Sequence, residues 1–216
     1  MKSLVIIDYG SGNLHSVQQS VRRVADEHSK EWQVKTTCEA RDVADADHII
    51  LPGVGHFADC KHNLSKILDM EHVLEKRVQN DAIAFLGICV GMQLMASKGF
   101  EGNVVSGLDW ISGNVKPLKP DPEANFKIPH MGWNKIMLQN HHHPFSSQVA
   151  DKLFYYFVHS YHFVPDDPED CLAVADYGEK VTAIIAKENK IGTQFHPEKS
   201  QKAGLNLLSA FLNWYI

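Results

Sequence analysis

The sequence predicts an α/β fold in which a parallel sheet is covered by helices on both faces. Short apolar runs alternate with amphipathic segments through the first half of the chain, as is typical of β-α-β units. In the second half the connections between apolar runs are shorter, which indicates further strands. A chain of 216 residues, 44% of them hydrophobic, can bury a full core, most simply that of one domain.

The first half is predicted to begin with a strand and a helix. Leu4 to Ile7 form a short apolar run, and the apolar residues after it recur at helical spacing: Leu14, Val17, Val21 and Val24. The same patterns predict strands at 32–37, 48–53 and 82–87, and helices at 57–69 and through 73–78. In the helix at 57–69 we expect Leu64, Ile67 and Leu68 to face the core.

The second half is predicted to consist mainly of strands. Glycine, proline and asparagine interrupt the earlier pattern from residue 99 onwards. Strands are predicted at 115–118, 128–138 and 153–158, and three more within 171–196. The last segment, 203–216, is predicted to be a helix. Its buried face is expected to carry Leu205, Leu208, Phe211, Leu212 and Tyr215.

Charge and hydropathy argue against several classes of partner. The net charge is -5 with histidine neutral, and no lysine or arginine run exceeds two residues, so no nucleic-acid or anionic-membrane surface is expected. The N-terminal apolar run is too short for a signal peptide, and no run approaches the roughly 20 residues that span a bilayer. We therefore expect a cytoplasmic protein.

No metal site or cofactor is predicted. The four cysteines are far apart without a CxxC pair, which predicts neither a disulfide framework nor a zinc site. Candidate ligands at 56–62 are interpreted as the solvated start of a helix, and the His141 to His143 triplet as a surface loop of open role. The loop at 8–13 lacks both the GxGxxG and the Walker spacing of phosphate-binding loops.

The chemistry is indicated by Cys89, which lies between Gly87 and Gly91 where a predicted strand gives way to a helix. This G-x-nucleophile-x-G spacing is typical of a nucleophile elbow, here with a cysteine. The helix N-terminus favours the thiolate, and the Val90 N–H is placed to stabilise an oxyanion. The alternative is a buried cysteine beside glycines that are needed only for packing.

A cysteine nucleophile needs a base, and the base needs a group that orients it. His196 and Glu198 follow a predicted strand, and alternate residues of an extended segment face the same side. Pro197 favours an extended conformation for His196. Among thirteen histidines the pair alone could be a coincidence, but together with the elbow it predicts a Cys-His-Glu triad.

A second glycine-rich turn, LPGVGHF at 51–57, follows another predicted strand. Its backbone N–H groups could complete the oxyanion hole, with Val54 between Gly53 and Gly55 as the candidate donor. A plain turn is the alternative.

With these motifs in view, the chain resembles the class I, or triad-type, glutamine amidotransferases. Nearly end to end it looks like the glutaminase subunits of imidazole glycerol phosphate synthase within that family. The motifs are DYGSGNLHSV (8–17), LPGVGHF, GICVGMQL (87–94), PHMGWN (129–134), YYFVHSYHF (155–163) and GTQFHPEKSQ (192–201). PHMGWN and HPEKS discriminate best against the triad glutaminases of other pathways.

The resemblance implies a single domain, 1–216, with a mixed, largely parallel sheet between helices. It implies that Cys89 is the nucleophile, His196 the acid and base, and Glu198 its orienting partner. The glutamine pocket would involve Gly53, Gly55, Gln93, His159, Ser160 and Tyr161. Departures from the family pattern are confined to the loop at 120–127 and the histidine triplet.

The resemblance also implies a partner, a (β/α)8-barrel cyclase that forms a heterodimer with the glutaminase. Interface residues around the ammonia exit would be Asn13, Trp133, Tyr161 and Lys199. The implied function is hydrolysis of glutamine through a cysteine thioester. The ammonia would pass to the cyclase, which makes imidazole glycerol phosphate and AICAR in histidine biosynthesis. Three alternatives stay open: a paralogue that serves another synthase, a cysteine hydrolase or peptidase, and a non-catalytic regulatory subunit.

Overall fold

In the computed structural model, the apolar runs of the first half form parallel strands. The structure describes residues 1–10, 12–27, 31–121, 123 and 126–214. The described strands are β1 Lys2–Ile7, β2 Trp32–Thr37, β3 His48–Gly53, β4 Ala84–Cys89, β5 Ala96–Gly99, β6 Val105–Ser106, β7 Ile111–Pro117, β8 His130–Leu138, β9 Phe154–His159, β10 Tyr161–Pro165, β11 Cys171–Asp176, β12 Lys180–Lys187 and β13 Lys190–Thr193. The described α-helices are α1 Leu14–Glu27, α2 Ala40–Ala44, α3 Phe57–Ser65, α4 Met70–Leu74, α5 Val90–Gln93 and α6 Gln201–Leu212.

The described strands form two sheets. The larger has nine strands in the order β2-β1-β3-β4-β13-β12-β11-β8-β9, and the smaller has four in the order β10-β7-β5-β6. From β2 to β13 the neighbours are parallel, and from β13 to β9 they are antiparallel. The prediction of a mixed sheet with helices is therefore confirmed. The β11–β12 and β12–β13 pairs are antiparallel because their connections, 177–179 and 188–189, are too short for the crossover that parallel strands need.

The hydrophobic core centres on the parallel half of the large sheet. All six residues of β3 and all six of β4 are buried, as expected for strands covered on both faces. In α1 the buried residues include Val17, Val21 and Val24, as the helical spacing predicts. None of the helices within the described ranges is long and apolar enough to cross a membrane.

The predicted helix at 57–69 is shorter than expected. It ends at Ser65, and Asp69 has a left-handed φ of 59°, which breaks the helix before α4 begins. Leu64 is buried as predicted, but Leu68 is 83% exposed, so its predicted inward orientation is wrong. Beyond α4 the chain continues as a π-helical segment, Glu75–Asn80, which covers the rest of the predicted helix.

The smaller sheet was not anticipated in full. The predicted strand at 115–118 is the end of β7, but β5, β6 and β10 are short and have no period-2 apolar pattern of their own. At the C-terminus, α6 ends at Leu212 and buries Leu208, Phe211 and Leu212. Tyr215, which was expected on the same face, lies outside the described residues.

Candidate active site

Cys89 lies where β4 turns into α5, and its backbone is strained. It adopts φ 54° and ψ -110°, a region that L-residues rarely occupy. A Cβ on Gly91 would lie 1.8 Å from the Leu51 carbonyl oxygen, and one on Gly87 would lie 2.6 Å from the Gly91 oxygen. The two glycines thus allow the close approach of the elbow to β3, and Cys89 is held between them in a strained conformation.

His196 and Glu198 form a buried pair after β13. His196 Nδ1 lies 2.8 Å from Glu198 Oε1, and both side chains are 1% exposed. His196 itself is extended, but Pro197–Lys199 form a 3-10 turn. The two side chains therefore meet across a turn, and not along an extended strand as the alternation argument predicted. The His196 N–H donates to the Tyr156 carbonyl at 2.9 Å, which ties this turn to β9.

The charges around His196 favour its protonated form. Burial acts to lower the pKa of His196, but the neighbouring Cys89 sulfur and the Glu198 carboxylate raise it to about 10. Because Nδ1 is engaged with Glu198, Nε2 is the nitrogen left for proton transfer at Cys89. An imidazolium beside a thiolate is the arrangement that an activated cysteine nucleophile requires.

Asn13 contacts the far side of this pair. Its Nδ2 donates to Glu198 Oε1 at 2.5 Å, so that one carboxylate oxygen accepts from both Asn13 and His196. The other oxygen, Oε2, is buried and has no hydrogen-bond partner within the described ranges. Asn13 was predicted as an interface residue, and that stays a prediction; its side chain holds the carboxylate behind His196.

A cavity of about 320 Å³ opens beside Cys89 and His196, which is within the range for small-molecule sites. It is lined by Val54, Gly55, Cys89, Val90, Gln93, Glu101, Pro129, Val158, His159, Ser160, Tyr161 and His196. The structure thus brings nearly all the predicted pocket residues together. Gly53 packs behind the elbow instead, where a Cβ would lie 2.7 Å from the Gly91 nitrogen.

The side-chain amide of Gln93 is anchored within the protein. Its Nε2 donates to the Tyr161 carbonyl and to Gln194 Oε1, both at 3.0 Å. The NH2 group has only two hydrogens, so both are used, and Oε1 is the atom that remains for a ligand.

A buried pair of histidines, His130 and His159, lies at the cavity, which His159 lines. His130 Nδ1 lies 2.9 Å from His159 Nε2, and His159 Nδ1 lies 2.9 Å from the Tyr161 carbonyl oxygen. That carbonyl can only accept, so His159 donates through Nδ1 and accepts from His130 through Nε2. The pair thereby fixes the Tyr161 carbonyl that also orients Gln93.

Four residues at the site were missed from the sequence: Glu101, Pro129 and Val158 at the cavity, and Gln194 beside Cys89. Glu101 lines the cavity, and its Oε2 accepts from the Phe57 N–H at 2.7 Å. Gln194 is completely buried, and its Nε2 lies 3.7 Å from Cys89 Sγ. Gln194 precedes the His-Pro-Glu motif by two residues, and that proximity is the one signal in the sequence that pointed to it.

The predicted interface residues Trp133 and Lys199 are not among the residues that line the cavity. Both contact Tyr156: the Trp133 ring centroid is 6.1 Å from that of Tyr156, and Lys199 Nζ is 5.9 Å from it. Trp133 is 47% exposed. Tyr161, predicted for both pocket and interface, lines the cavity.

The remaining candidates behave as structural residues. Burial raises the pKa of Cys60 to about 11, which keeps its thiol protonated, and Cys38 is exposed. His143 accepts from the Phe145 N–H and lies 3.0 Å from the Glu188 carbonyl, so both ring nitrogens are engaged in the loop. Among the residues that the structure describes, no group of three or more side chains is placed to hold a metal ion.

Comparison with known proteins agrees with this geometry. Residues 5–213 match the family model of class-I glutamine amidotransferases. The imidazole glycerol phosphate synthase subunit HisH of Brucella suis is 47% identical over 213 residues, covering 98% of both chains. The HisH subunit of Rhodopseudomonas palustris is 46% identical over 219 residues, covering 98% of this chain and 99% of that one.

The fold agrees as well. A glutamine amidotransferase structure from Thermotoga maritima superposes with a TM-score of 0.67 over 98% of this chain and 83% of its own, at 16% identity. The strained cysteine elbow, the buried histidine–glutamate pair and the full-length matches lead to one assignment. The chain belongs to the class I glutamine amidotransferases, and within them to the HisH family.

Proposed function

We propose that this chain is the glutaminase subunit of an imidazole glycerol phosphate synthase, and that it works in the cytoplasm. The observation that carries the proposal is the placement of Cys89 on a strained turn, beside the buried His196–Glu198 pair and in the lining of a cavity of about 320 Å³. The full-length similarity to HisH subunits of named synthases favours this pathway over that of a paralogue.

In the first half-reaction the Cys89 thiolate attacks the side-chain amide carbon of glutamine. Negative charge develops on the amide oxygen, and the N–H groups of Val90 and Val54, both at the cavity, stabilise it. His196 gives its Nε2 proton to the amide nitrogen, the C–N bond breaks, and ammonia leaves. The product is a thioester between Cys89 and the glutamyl group.

In the second half-reaction water replaces ammonia. His196, now neutral, takes a proton from water, and the resulting hydroxide attacks the thioester carbonyl. The C–S bond then breaks, releasing glutamate and the Cys89 thiolate. Glu198 stabilises the imidazolium each time it forms, and Asn13 keeps that carboxylate in place.

Charge and hydrogen bonding select the substrate. The Glu101 carboxylate at the cavity wall complements the α-ammonium group of glutamine. Gln93 presents its Oε1 because its two N–H bonds are used within the protein. Ser160 and Tyr161 also line the cavity.

The ammonia must stay unprotonated until it reaches an acceptor, so an enclosing partner serves the reaction. We place the partner on the surface formed by Met131, Trp133, Phe154 and Tyr156, here called the β8–β9 face. Met131, Trp133 and Phe154 are 61%, 47% and 56% exposed, an unusual run of exposed large apolar side chains.

The β8–β9 face adjoins the cavity directly. In the register of the two strands, Met131 pairs with Val158, which lines the cavity, and Trp133 pairs with Tyr156. The Tyr156 carbonyl in turn accepts from the His196 N–H. A (β/α)8-barrel cyclase docked on this face would lie next to the point where ammonia is released.

The test is glutamate release from glutamine, measured for the chain alone and with an imidazole glycerol phosphate synthase cyclase and its ribonucleotide substrate. We expect turnover to be strongest in the complex. Cys89→Ala should abolish glutamine use but leave synthesis from added ammonium salts intact. Cys38→Ala, which removes an exposed cysteine, should keep full activity.

Two results would count against this assignment. Glutamate release that persists in the Cys89→Ala variant would rule out the nucleophile. A chain that hydrolyses glutamine but neither binds the cyclase nor supplies it with ammonia would indicate a paralogue that serves another synthase.

A further inference from the structure

Gln194 contacts the proposed nucleophile but is not a member of the triad. It lies in the segment between β13 and His196, where its N–H donates to the Ala183 carbonyl at 2.9 Å. Its side chain is 0% exposed. One end of its amide faces Gln93, and the other lies 3.7 Å from Cys89 Sγ.

The orientation of the Gln194 amide follows from its neighbours. The Tyr161 carbonyl can only accept hydrogen bonds, so the Gln93 atom that contacts it must be the NH2 nitrogen. The second hydrogen of that nitrogen is directed at Gln194 at 3.0 Å, which requires an acceptor there. Gln194 therefore presents Oε1 to Gln93 and its NH2 group to the sulfur of Cys89.

The row of hydrogen bonds that runs from the Tyr161 carbonyl through Gln93 and Gln194 to Cys89 Sγ is anchored at its Tyr161 end. The Tyr161 carbonyl also accepts from His159, which in turn accepts from His130. A rotation of the Gln194 amide would set its NH2 group against that of Gln93 and leave an acceptor against the sulfur. In a fully buried site both contacts are costly, so the network holds the donor in place.

We propose that Gln194 is a positioning residue whose amide N–H, aimed at Cys89 Sγ, stabilises the thiolate and holds it at the cavity. The proposal deepens the proposed glutaminase function and rests on Cys89 being its nucleophile. Hydrogen bonds to an anionic acceptor are stronger than those to a neutral one, so this N–H favours the thiolate over the thiol. His196 supplies the positive charge, and Gln194 supplies a neutral donor from another direction.

The test uses two substitutions that differ in what they place at the sulfur. Gln194→Met has a similar length but no donor. Gln194→Glu keeps an acceptor for Gln93 but places a carboxylate oxygen beside Cys89. The control is Gln148→Met, which makes the same change at an exposed position.

The first readout is the pH dependence of Cys89 alkylation by iodoacetamide, resolved by peptide mass spectrometry so that the other cysteines do not interfere. We expect the midpoint to rise by about one pH unit in Gln194→Met and further in Gln194→Glu, because each loses a donor to the thiolate. The control should match the parent chain. This readout needs no glutaminase turnover, so it separates the role of Gln194 from the assignment of the reaction.

The second readout is glutamine turnover in the complex with the cyclase. We expect kcat to fall at least tenfold in both variants at neutral pH, with a smaller change in KM. In Gln194→Met, part of the lost kcat should be recovered at higher pH. Circular dichroism checks folding, and if one variant does not fold the other serves for the comparison. Alkylation midpoints equal to that of the parent chain in a folded variant would overturn the proposal.

Discussion

Mild acid is expected to destabilise the fold through the buried histidine pair His130 and His159. Burial lowers the pKa of His130 to about 4, and burial together with His130 lowers that of His159 to about 3. Histidine in an unfolded chain has a pKa of about 6.5. Below that pH the unfolded chain binds protons that the folded chain does not accept. The contribution of the two histidines to the free energy of unfolding is therefore complete above about pH 6.5 and is lost as the pH falls towards the folded pKa values.

The size of the effect follows from these values. Each histidine reduces the free energy of unfolding by about 1.4 kcal/mol for each pH unit below about 6.5, as long as it stays neutral in the folded state. At pH 5 this amounts to about 2 kcal/mol for each residue and roughly 4 kcal/mol for the pair. The total stability of a domain is typically only about 5–15 kcal/mol, so the loss is large.

Urea unfolding followed by tryptophan fluorescence at pH 7 and pH 5 measures this loss. We compare the parent chain with a His130→Asn/His159→Asn variant, in which the loss should be smaller by roughly 4 kcal/mol. Other histidines with lowered pKa, such as His48 and His162, are present in both proteins and cancel in the comparison. His142→Asn, at an exposed position, is the control. An equal loss in the parent chain and the double variant would refute the reasoning.

Two further changes test the elbow and the docking surface. Gly91→Ala should reduce the free energy of unfolding by at least about 3 kcal/mol, because the added methyl group would overlap the Leu51 carbonyl. Urea unfolding measures this loss. A variant as stable as the parent chain would contradict the close approach of β3 and the elbow. Trp133→Ala should raise the dissociation constant of the cyclase at least tenfold, or about 1.4 kcal/mol, as measured by calorimetry. Phe100→Ala, which changes an exposed apolar residue outside the β8–β9 face, should leave the dissociation constant unchanged. Equal affinity of the two variants would place the partner elsewhere.

Much of the candidate site could be predicted because its motifs are local. The glycine spacing around Cys89 and the short separation of His196 from Glu198 are visible in the sequence, and both were placed at strand ends. The strands β2 and β3 were predicted with the bounds that the structure shows. All of β3 is buried, whereas β2 buries only its two end residues, Trp32 and Thr37.

The parts that were mispredicted depend on conformations that residue patterns do not encode. Asp69 separates α3 from α4 by adopting a left-handed conformation, although it is not a glycine. The short strands of the smaller sheet are determined by their partners, since two to five residues carry too little periodicity to be recognised.

By itself, the sequence determined the class of fold, the cysteine turn between two glycines and the closely spaced histidine and glutamate, because each depends on neighbours within a few residues. The tertiary structure alone decided how these groups meet. Strand β13 pairs in parallel with β4, so that Thr193 lies opposite Ile88, and this pairing brings Gln194 and His196 to Cys89. Asn13 reaches Glu198 from 185 residues away. Contacts of this kind arise from the order of strands in the sheet, which no local pattern of residues specifies.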